Sequence, residues 1–378
     1  MMARLGDVCA KITDGSHNPP QGISCSEYLM LSSKNIYDDD ISFDDPRYLS
    51  KENYETENKR TQISAGDILL TIVGTVGRAA VVSKTEKKIC LQRSVAVIKP
   101  KQELIDSRFL MYQLQSMRTH LEQEARGVAQ KGIYLRQVEN LQIKVPSRGE
   151  QLQVVSNLDQ ISELISLRKQ QLAKLDELVK ARFVELFGDK GYPEDTLLNL
   201  CNIIDYRGKT PEKVEHGLPF ITAKNVRMHQ MNLEPREYIS KATYDKVMVR
   251  GFPKEGDVVF TTEAPLGNVC RIPHFDTEFY IGQRIVTLQT EKLEPLYLEY
   301  ALSSDDFKTK YMGKSSGSTV TGIRVRLLEQ LTIPVPPRDL QEQFAAFVEQ
   351  TDKSKLAIQE SLAELETLKK ALMQKYFG

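Results

Sequence analysis

A chain of 378 residues is long enough for two or three ordinary domains, so the size of a hydrophobic core limits nothing here. With 27% charged and 40% hydrophobic residues it is excluded from the disordered class. A formal net charge of zero excludes a uniformly basic molecule, so any nucleic-acid site must come from local segregation of charge.

In chain order, the opening Met1-Met2-Ala3-Arg4-Leu5-Gly6-Asp7 lacks the apolar core of a signal peptide, which predicts a cytoplasmic location. Ile68 to Val73 and Val95 to Ile98 are β-branched runs bounded by glycine and proline, and they predict strands. The most apolar stretch, Ile68 to Val82, carries Arg78 and falls short of the roughly 20 residues that a membrane helix needs. Leu110, Leu114, Met117 and Leu121 mark a short amphipathic helix. After Pro146, apolar residues recur at Val154, Leu158, Ile161, Ile165, Leu172, Leu175, Val179 and Leu186, with no proline or glycine from Glu150 to Phe187. That spacing predicts one long helix, on the order of 55 Å at 1.5 Å per residue.

The same order of elements then returns. Strands are predicted at Val258 to Thr261 and Ile285 to Leu288, and a short helix with Leu298 and Leu302 follows Pro295. A second long helix between Leu340 and Phe377 carries Phe344, Val348, Ile358, Leu362, Leu365 and Leu372, with Lys355 and Lys369 interrupting its stripe.

Sliding the sequence by 190 residues explains the return. Tyr48-Leu49-Ser50-Lys51 falls on Tyr238-Ile239-Ser240-Lys241, Gly66-Asp67-Ile68-Leu69 on Gly256-Asp257-Val258-Val259, and Phe187-Gly188 on Phe377-Gly378. Gln92-Arg93 meets Gln283-Arg284 one residue out of register. A period this long means two whole domains, not solenoid units. The fold class is therefore α+β (mixed α/β): a tandem duplication of a globular head followed by a long helix. The limits read as head 1–148, helix 149–188, head 189–337 and helix 338–378.

A helix of this length either lies on its own domain or finds a partner for its stripe, and length favours the partner. Paired antiparallel as a coiled coil, the two helices would set the heads at opposite ends of a rod. Leu158, Ile165, Leu172, Leu175 and Val179 in the first helix, and Val348, Ile358, Leu362, Leu365 and Leu372 in the second, are the candidate partner-binding positions.

Charge is segregated. From Glu27 to Glu57 there are nine acidic and three basic residues, a face that should avoid phosphates; from Asn58 to Arg148 there are sixteen basic and seven acidic. Both copies are basic just before their long helix, through Arg126, Lys131, Arg136, Lys144 and Arg148 in one and Lys308, Lys310, Lys314, Arg324, Arg326 and Arg338 in the other. A basic run is usually a solvated face, and it is the recurrence that points to nucleic acid.

Catalytic signatures are weak. Asn18-Pro19-Pro20 is followed by Gln21 where an amino-methyltransferase loop has an aromatic residue, and no glycine-rich cofactor turn precedes it. Gly74-Thr75-Val76-Gly77 lacks the Lys-Ser/Thr of a phosphate loop and reads as a hairpin turn. Asp14-Gly15-Ser16-His17 suggests a triad fragment, but neighbours in a turn need not face one another. The five histidines and five cysteines show no metal-ligand spacing, and the thiols are expected to be reduced and mostly buried. No catalytic residue and no metal is assigned.

Leu5-Gly6-Asp7-Val8, Asp14-Gly15-Ser16-His17, Gly66-Asp67-Ile68-Leu69, Gln92-Arg93, Arg207-Gly208-Lys209-Thr210-Pro211 and Gln283-Arg284 resemble, in this order, the specificity subunit of type I restriction-modification enzymes. Val335-Pro336-Pro337 leading into Leu340-Gln341-Glu342-Gln343 belongs to the same pattern, and Pro146-Ser147-Arg148 departs from it by lacking the second proline. The resemblance spans the whole chain. It implies a non-catalytic subunit with two target-recognition domains, each reading half of a split, asymmetric site on double-stranded DNA. It also implies a paired-helix spacer that docks two modification subunits, with restriction subunits in the full complex. S-adenosylmethionine would sit on the modification subunits, and this chain would carry no cofactor. The candidate DNA contacts are Arg78, Arg93, Lys131, Tyr134 and Arg136 in the first head, and Lys209, Arg284, Lys314, Arg324 and Arg326 in the second. A self-contained adenine methyltransferase and a coiled-coil adaptor that ignores DNA are the rival readings.

If helix length sets the spacing, inserting one turn, about four residues, near Lys174 should lengthen the unread spacer of the methylated motif and leave both half-sites unchanged. An unchanged spacer would refute it.

Overall fold

The apolar runs pair as a sheet because each is buried on both faces. In this computed structural model, which describes residues 1–85, 87–125, 132–206, 208, 211–317 and 321–378, the first head holds a four-stranded antiparallel sheet. Its order is Cys9–Asp14, Val95–Pro100, Ile68–Thr71 and Ala79–Val81. The second head repeats that order with Asn202–Asp205, Ile285–Gln289, Val258–Thr261 and Val269–Arg271.

Alternate side chains of these strands serve two cores. Ile68, Leu70, Ala96 and Ile98 face a helical layer with Phe109, Leu110 and Leu114, whereas Leu69, Ala80, Val95 and Val97 face a second sheet with Leu29, Leu31 and Leu91. In the second head Val258, Phe260, Val286 and Leu288 take the helical side, and Val259, Cys270 and Ile285 the other. The second sheet is mixed in both heads: Tyr28–Leu31 runs parallel to Lys88–Leu91, and Phe220 and Ile221 pair in parallel with Tyr280 and Ile281. The second head alone adds a strand, Lys213–Val214, to that sheet.

The repeated Gly-Asp dipeptide is a strand-entry device. Gly66 (φ 90°) and Gly256 (φ 85°) need the left-handed region, and the aspartate that follows caps the turn. Asp67 accepts from the Ser64 amide at 2.8 Å and Asp257 from the Lys254 amide at 2.9 Å. Lys99 pairs with Asp67, but its counterpart is Gln289, 2.6 Å from Asp257; there burial outweighs the hydrogen bonds and raises the carboxyl above its usual range.

Both long helices form as read, Arg148–Phe187 and Arg338–Phe377, beginning at equivalent residues despite the missing second proline. The chain divides into two compact units, one of Met1–Gln170 with Gln359–Gly378 and one of Gln171–Ile358. The division runs through both helices, not through the expected head and helix limits, because each head packs on the start of one helix and the end of the other. In the first unit Val154 and Leu158 join the core against which Leu372, Met373, Tyr376 and Phe377 pack, and Asn157 donates to the Tyr376 hydroxyl at 2.8 Å. Lys169 and Glu366 meet at 3.3 Å farther along, which makes the pairing antiparallel. In the second unit Phe183 and Phe187 pack edge-on against Phe344 (5.4 and 5.6 Å between centroids), while Lys355 reaches Asp176 at 2.7 Å, again antiparallel.

The stripe is thus filled by the chain itself. Leu158, Val179 and Val348 are sealed in its cores. Leu372 lies against the core of the first unit, and Ile165, Leu172, Leu175, Ile358, Leu362 and Leu365 are half-buried. The two lysines in the stripe are paired inward, Lys355 with Asp176 and Lys369 with Asp39 at 2.6 Å.

One buried glutamine per unit fixes head to helix. Gln151 accepts from the Asp106 amide at 2.7 Å and donates to the Leu104 and Pro146 carbonyls; Gln341 accepts from the Glu294 amide at 2.9 Å and donates to the Pro336 carbonyl. Gln341→Ala would leave a buried amide and carbonyl unpaired, at a cost of about 2–4 kcal/mol. Gln343→Ala, at an exposed position of the same turn, should cost less than about 0.5 kcal/mol. Urea unfolding followed by circular dichroism measures both, and equal effects would contradict the role given to Gln341.

Candidate nucleic-acid interface

Three segments of each head meet at the end of the central strand. In the first head the Ile72 amide bonds to the Ser94 carbonyl and the Ile133 amide to the Ile72 carbonyl, both at 2.9 Å, while Val73 bridges Gly132. In the second head the Thr262 amide bonds to the Arg284 carbonyl and the Ile323 amide to the Thr262 carbonyl, again at 2.9 Å, with Glu263 bridging Gly322. The loop bearing Arg93 or Arg284 is thereby tied to the segment leading into Tyr134 or Arg324. The seam is tight: a Cβ at Gly132 would lie 3.2 Å from Val73 and one at Gly322 3.1 Å from Glu263, so a larger residue at either place would push its neighbour aside.

Most of the candidate basic residues gather here. Arg93 is exposed and has no carboxylate partner among the described residues; Arg284 has its Nε 3.0 Å from Glu263 Oε1. Tyr134 is 70% exposed just before the short helix Leu135–Glu139, and Arg324 stands in the same place before Val325–Leu328. Arg136 and Arg326, in the first turns of those helices, are exposed. Lys314 is exposed near Ser316, which bridges Gly322. Arg78, on the return of the Gly74–Gly77 turn, is partly committed: its guanidinium lies 5.3 Å from the Tyr37 ring centroid. Lys131 and Lys209 lie outside the described residues.

Sequence reasoning missed Lys224, which is exposed and lines a cleft of about 260 Å³ with Lys213, Phe220, Gln283 and Arg284. The signal was present in the Lys34-Asn35-Ile36 and Lys224-Asn225-Val226 match, but Lys34 is paired with Asp45. Charge counting also misjudged two stretches. The acidic run is largely turned to structural use, Asp38 paired with Arg118 and Asp39 accepting from Gln115, Ser162 and Lys369. Several of the sixteen basic residues are likewise committed, Arg60 to Asp14, Arg108 to Asp159 and Arg148 to Asp106.

The tempting catalytic motifs find structural explanations. His17 does reach Asp14, at 2.8 Å, but the other oxygen of Asp14 is held by Arg60. The Asn18-Pro19-Pro20 turn is pinned by Arg47 on the Pro20 carbonyl at 2.9 Å. The Gly77 amide closes a hairpin on the Thr71 carbonyl at 2.9 Å, as Gly267 does on Thr261. Cys9, Cys90, Cys201 and Cys270 are buried, which pushes each thiol up to about 12; Cys25 is exposed. Among the described residues, no group of His, Cys, Asp and Glu is placed to hold a metal, and no helix is long and apolar enough to cross a membrane.

A duplicated mixed head, each copy carrying an exposed basic loop cluster and running into a long helix, defines a two-headed recognition protein. The family model of the type I restriction modification DNA specificity domain matches residues 2–177 and again 196–368, and the chain belongs to that family. It is 24% identical over 346 residues to the type I restriction enzyme MjaVIII specificity subunit of Methanocaldococcus jannaschii, covering 84% of this chain and 79% of that one. It is 32% identical over 158 residues to the EcoBI specificity subunit of Escherichia coli, covering 40% and 33%. Its fold is similar to the crystal structure of the S subunit of the type I system of M. genitalium (TM-score 0.58, 15% identity, 100% of this chain and 96% of that one). A structure described for complex assembly and conformational transition of the type I system gives a TM-score of 0.56 at 21% identity, covering 100% and 97%.

If the cluster is a contact surface and not a structural one, Arg93→Ala, Arg136→Ala and Arg326→Ala should each move Tm by less than about 2 °C. Asp39→Ala, which removes three hydrogen-bond partners, should lower it by about 4 °C or more. Thermal melts of the four variants decide.

Proposed function

We propose that this chain is the DNA-recognition subunit of a type I restriction-modification complex and reads a split, asymmetric site, one half through each head. The observation that carries the reading is the recurrence of one loop cluster in both heads, tied by the same backbone hydrogen bonds and bearing exposed basic residues at equivalent positions. Arg93, Tyr134 and Arg136, and Arg284, Lys314, Arg324 and Arg326, are the proposed contacts, together with Lys224; Lys131 and Lys209 belong to the same proposal. Arg78 is a secondary candidate. Basic side chains on polar loops supply phosphate contacts and bidentate base contacts alike.

The chain contributes recognition, and the methyl transfer belongs to modification subunits that carry S-adenosylmethionine. Two such subunits are proposed to dock on the long helices, with restriction subunits joining the full complex. Outward-facing leucines at equivalent positions, Leu178 and Leu368, are 49% and 47% exposed and suit docking better than the buried stripe does. Such a complex works in the cytoplasm, where the chromosome lies.

The test is protection of DNA by the chain assembled with its modification subunits. Two short protected patches on one duplex are expected, and Arg136→Ala or Arg326→Ala should each reduce the slope of log affinity against log salt by roughly one. Absence of protection would favour the adaptor reading, and measurable binding of S-adenosylmethionine by the isolated chain would favour a self-contained methyltransferase.

A further inference from the structure

The two heads share the backbone of the cluster and differ in its side chains, and one of these differences sets a carboxylate beside an arginine. Val73 and Glu263 occupy the same place, 190 residues apart, each bridging a glycine; the residue before Glu263 bonds the carbonyl of Arg284, whereas the residue before Val73 bonds that of Ser94, one place after Arg93. On the first loop, Arg93 has no carboxylate partner among the described residues. Next to Glu263, Arg284 is held by its Nε at 3.0 Å, with side chains 53% and 44% exposed.

Glu263 is itself confined. A Cβ built on Gly322 would lie 3.1 Å from its Cβ and 3.5 Å from Oε2, so the glutamate rests on bare backbone while Oε1 faces the arginine. A guanidinium is a planar fork, and a carboxylate at Nε leaves the edge formed by the two terminal nitrogens free. That edge matches the O6 and N7 acceptors of guanine in the major groove. An ion pair at Nε restricts where the guanidinium sits before DNA arrives, which reduces the rotamer freedom that binding would otherwise have to freeze. The pair is too exposed to contribute much to stability, so its value lies in orientation.

We propose that Glu263 is the positioning residue that makes Arg284 a guanine reader, so that the second head discriminates sharply at one base pair. Arg93, one place earlier on the equivalent loop of the first head and with no such carboxylate beside it, is the looser reader. This rests on the reading that the loop cluster meets DNA. Glu263→Val installs the residue of the first head, and Glu263→Gln keeps the shape while removing the charge.

The full chain is assembled with its modification subunits and S-adenosylmethionine, and methylation is measured on duplexes varied one base pair at a time through the methylated motif. Preference for guanine at one position of one half-site should fall roughly tenfold or more in Glu263→Val. Glu263→Gln should show a smaller loss at the same position, Arg284→Lys should abolish the preference there, and the other half-site should stay unchanged. Unaltered discrimination in Glu263→Val overturns the proposal. So does a change in the glutamate variants at a position that Arg284→Lys leaves intact, because the carboxylate would then be reading a base itself. Uniform loss of methylation in both glutamate variants would assign Glu263 a structural role and overturn it as well. A wild-type complex that methylates no split motif would instead bring down the recognition reading, and the proposal with it.

Discussion

The architecture depends on how each head is fastened to its helix, and that fastening is a buried amide. Gln151 and Gln341, each about 1% exposed, receive the backbone amide of the residue that caps the first core helix of the head and give their own protons to carbonyls where the chain enters the long helix. An amide group is suited to this because it is donor and acceptor at once and carries no charge to desolvate. Either bond broken inside the core leaves an unsatisfied polar group. The register of head on helix is therefore specified more sharply than apolar packing alone would specify it, since hydrophobic contact is not directional.

Around that shared joint the two units solve the same problem with different chemistry. A turn with positive φ, at Asp39 in the first unit and His229 in the second, comes down to the helices in both. Asp39 bonds Ser162 and Lys369 of the helix pair, whereas His229 stacks on Tyr300 at 4.2 Å and meets Glu299, whose other oxygen holds Arg271. Backbone geometry is common to the copies, and the polar partners were exchanged as sets. An isolated exchange would strand a charge, so such changes couple.

This explains what was legible in the sequence. The duplication, the central strands and both long helices rest on periodicity and on local turn chemistry, which a sequence displays directly: Gly66-Asp67 and Gly256-Asp257 need only their own neighbours to form the entry turn. Counting charges along the chain failed because ion pairs form between residues far apart. Asp39 is 330 residues from Lys369, and Asp38 is 80 from Arg118, so two members of an acidic run that reads as repulsive are paired with distant cations. The helix stripe was legible in the same way as the strands: it displayed the need for a partner, and the partner is the other long helix, as the periodicity predicts.

Zero net charge and DNA binding are then reconciled by division of labour. Lys99, Arg108, Arg118, Lys355 and Lys369 meet carboxylates that hold strands, turns and helices together, and these pairs cancel in the total while leaving no field at the surface. Arg93, Arg136, Arg324 and Arg326 stand on loops and helix starts whose positions are set by backbone bonds, and among the described residues their side chains meet no carboxylate. A surface built that way changes its base preference by exchanging side chains on a fixed loop. Val73 and Glu263 show such an exchange of side chains: a bare glycine face accepts either one, and in the second head the carboxylate meets Arg284.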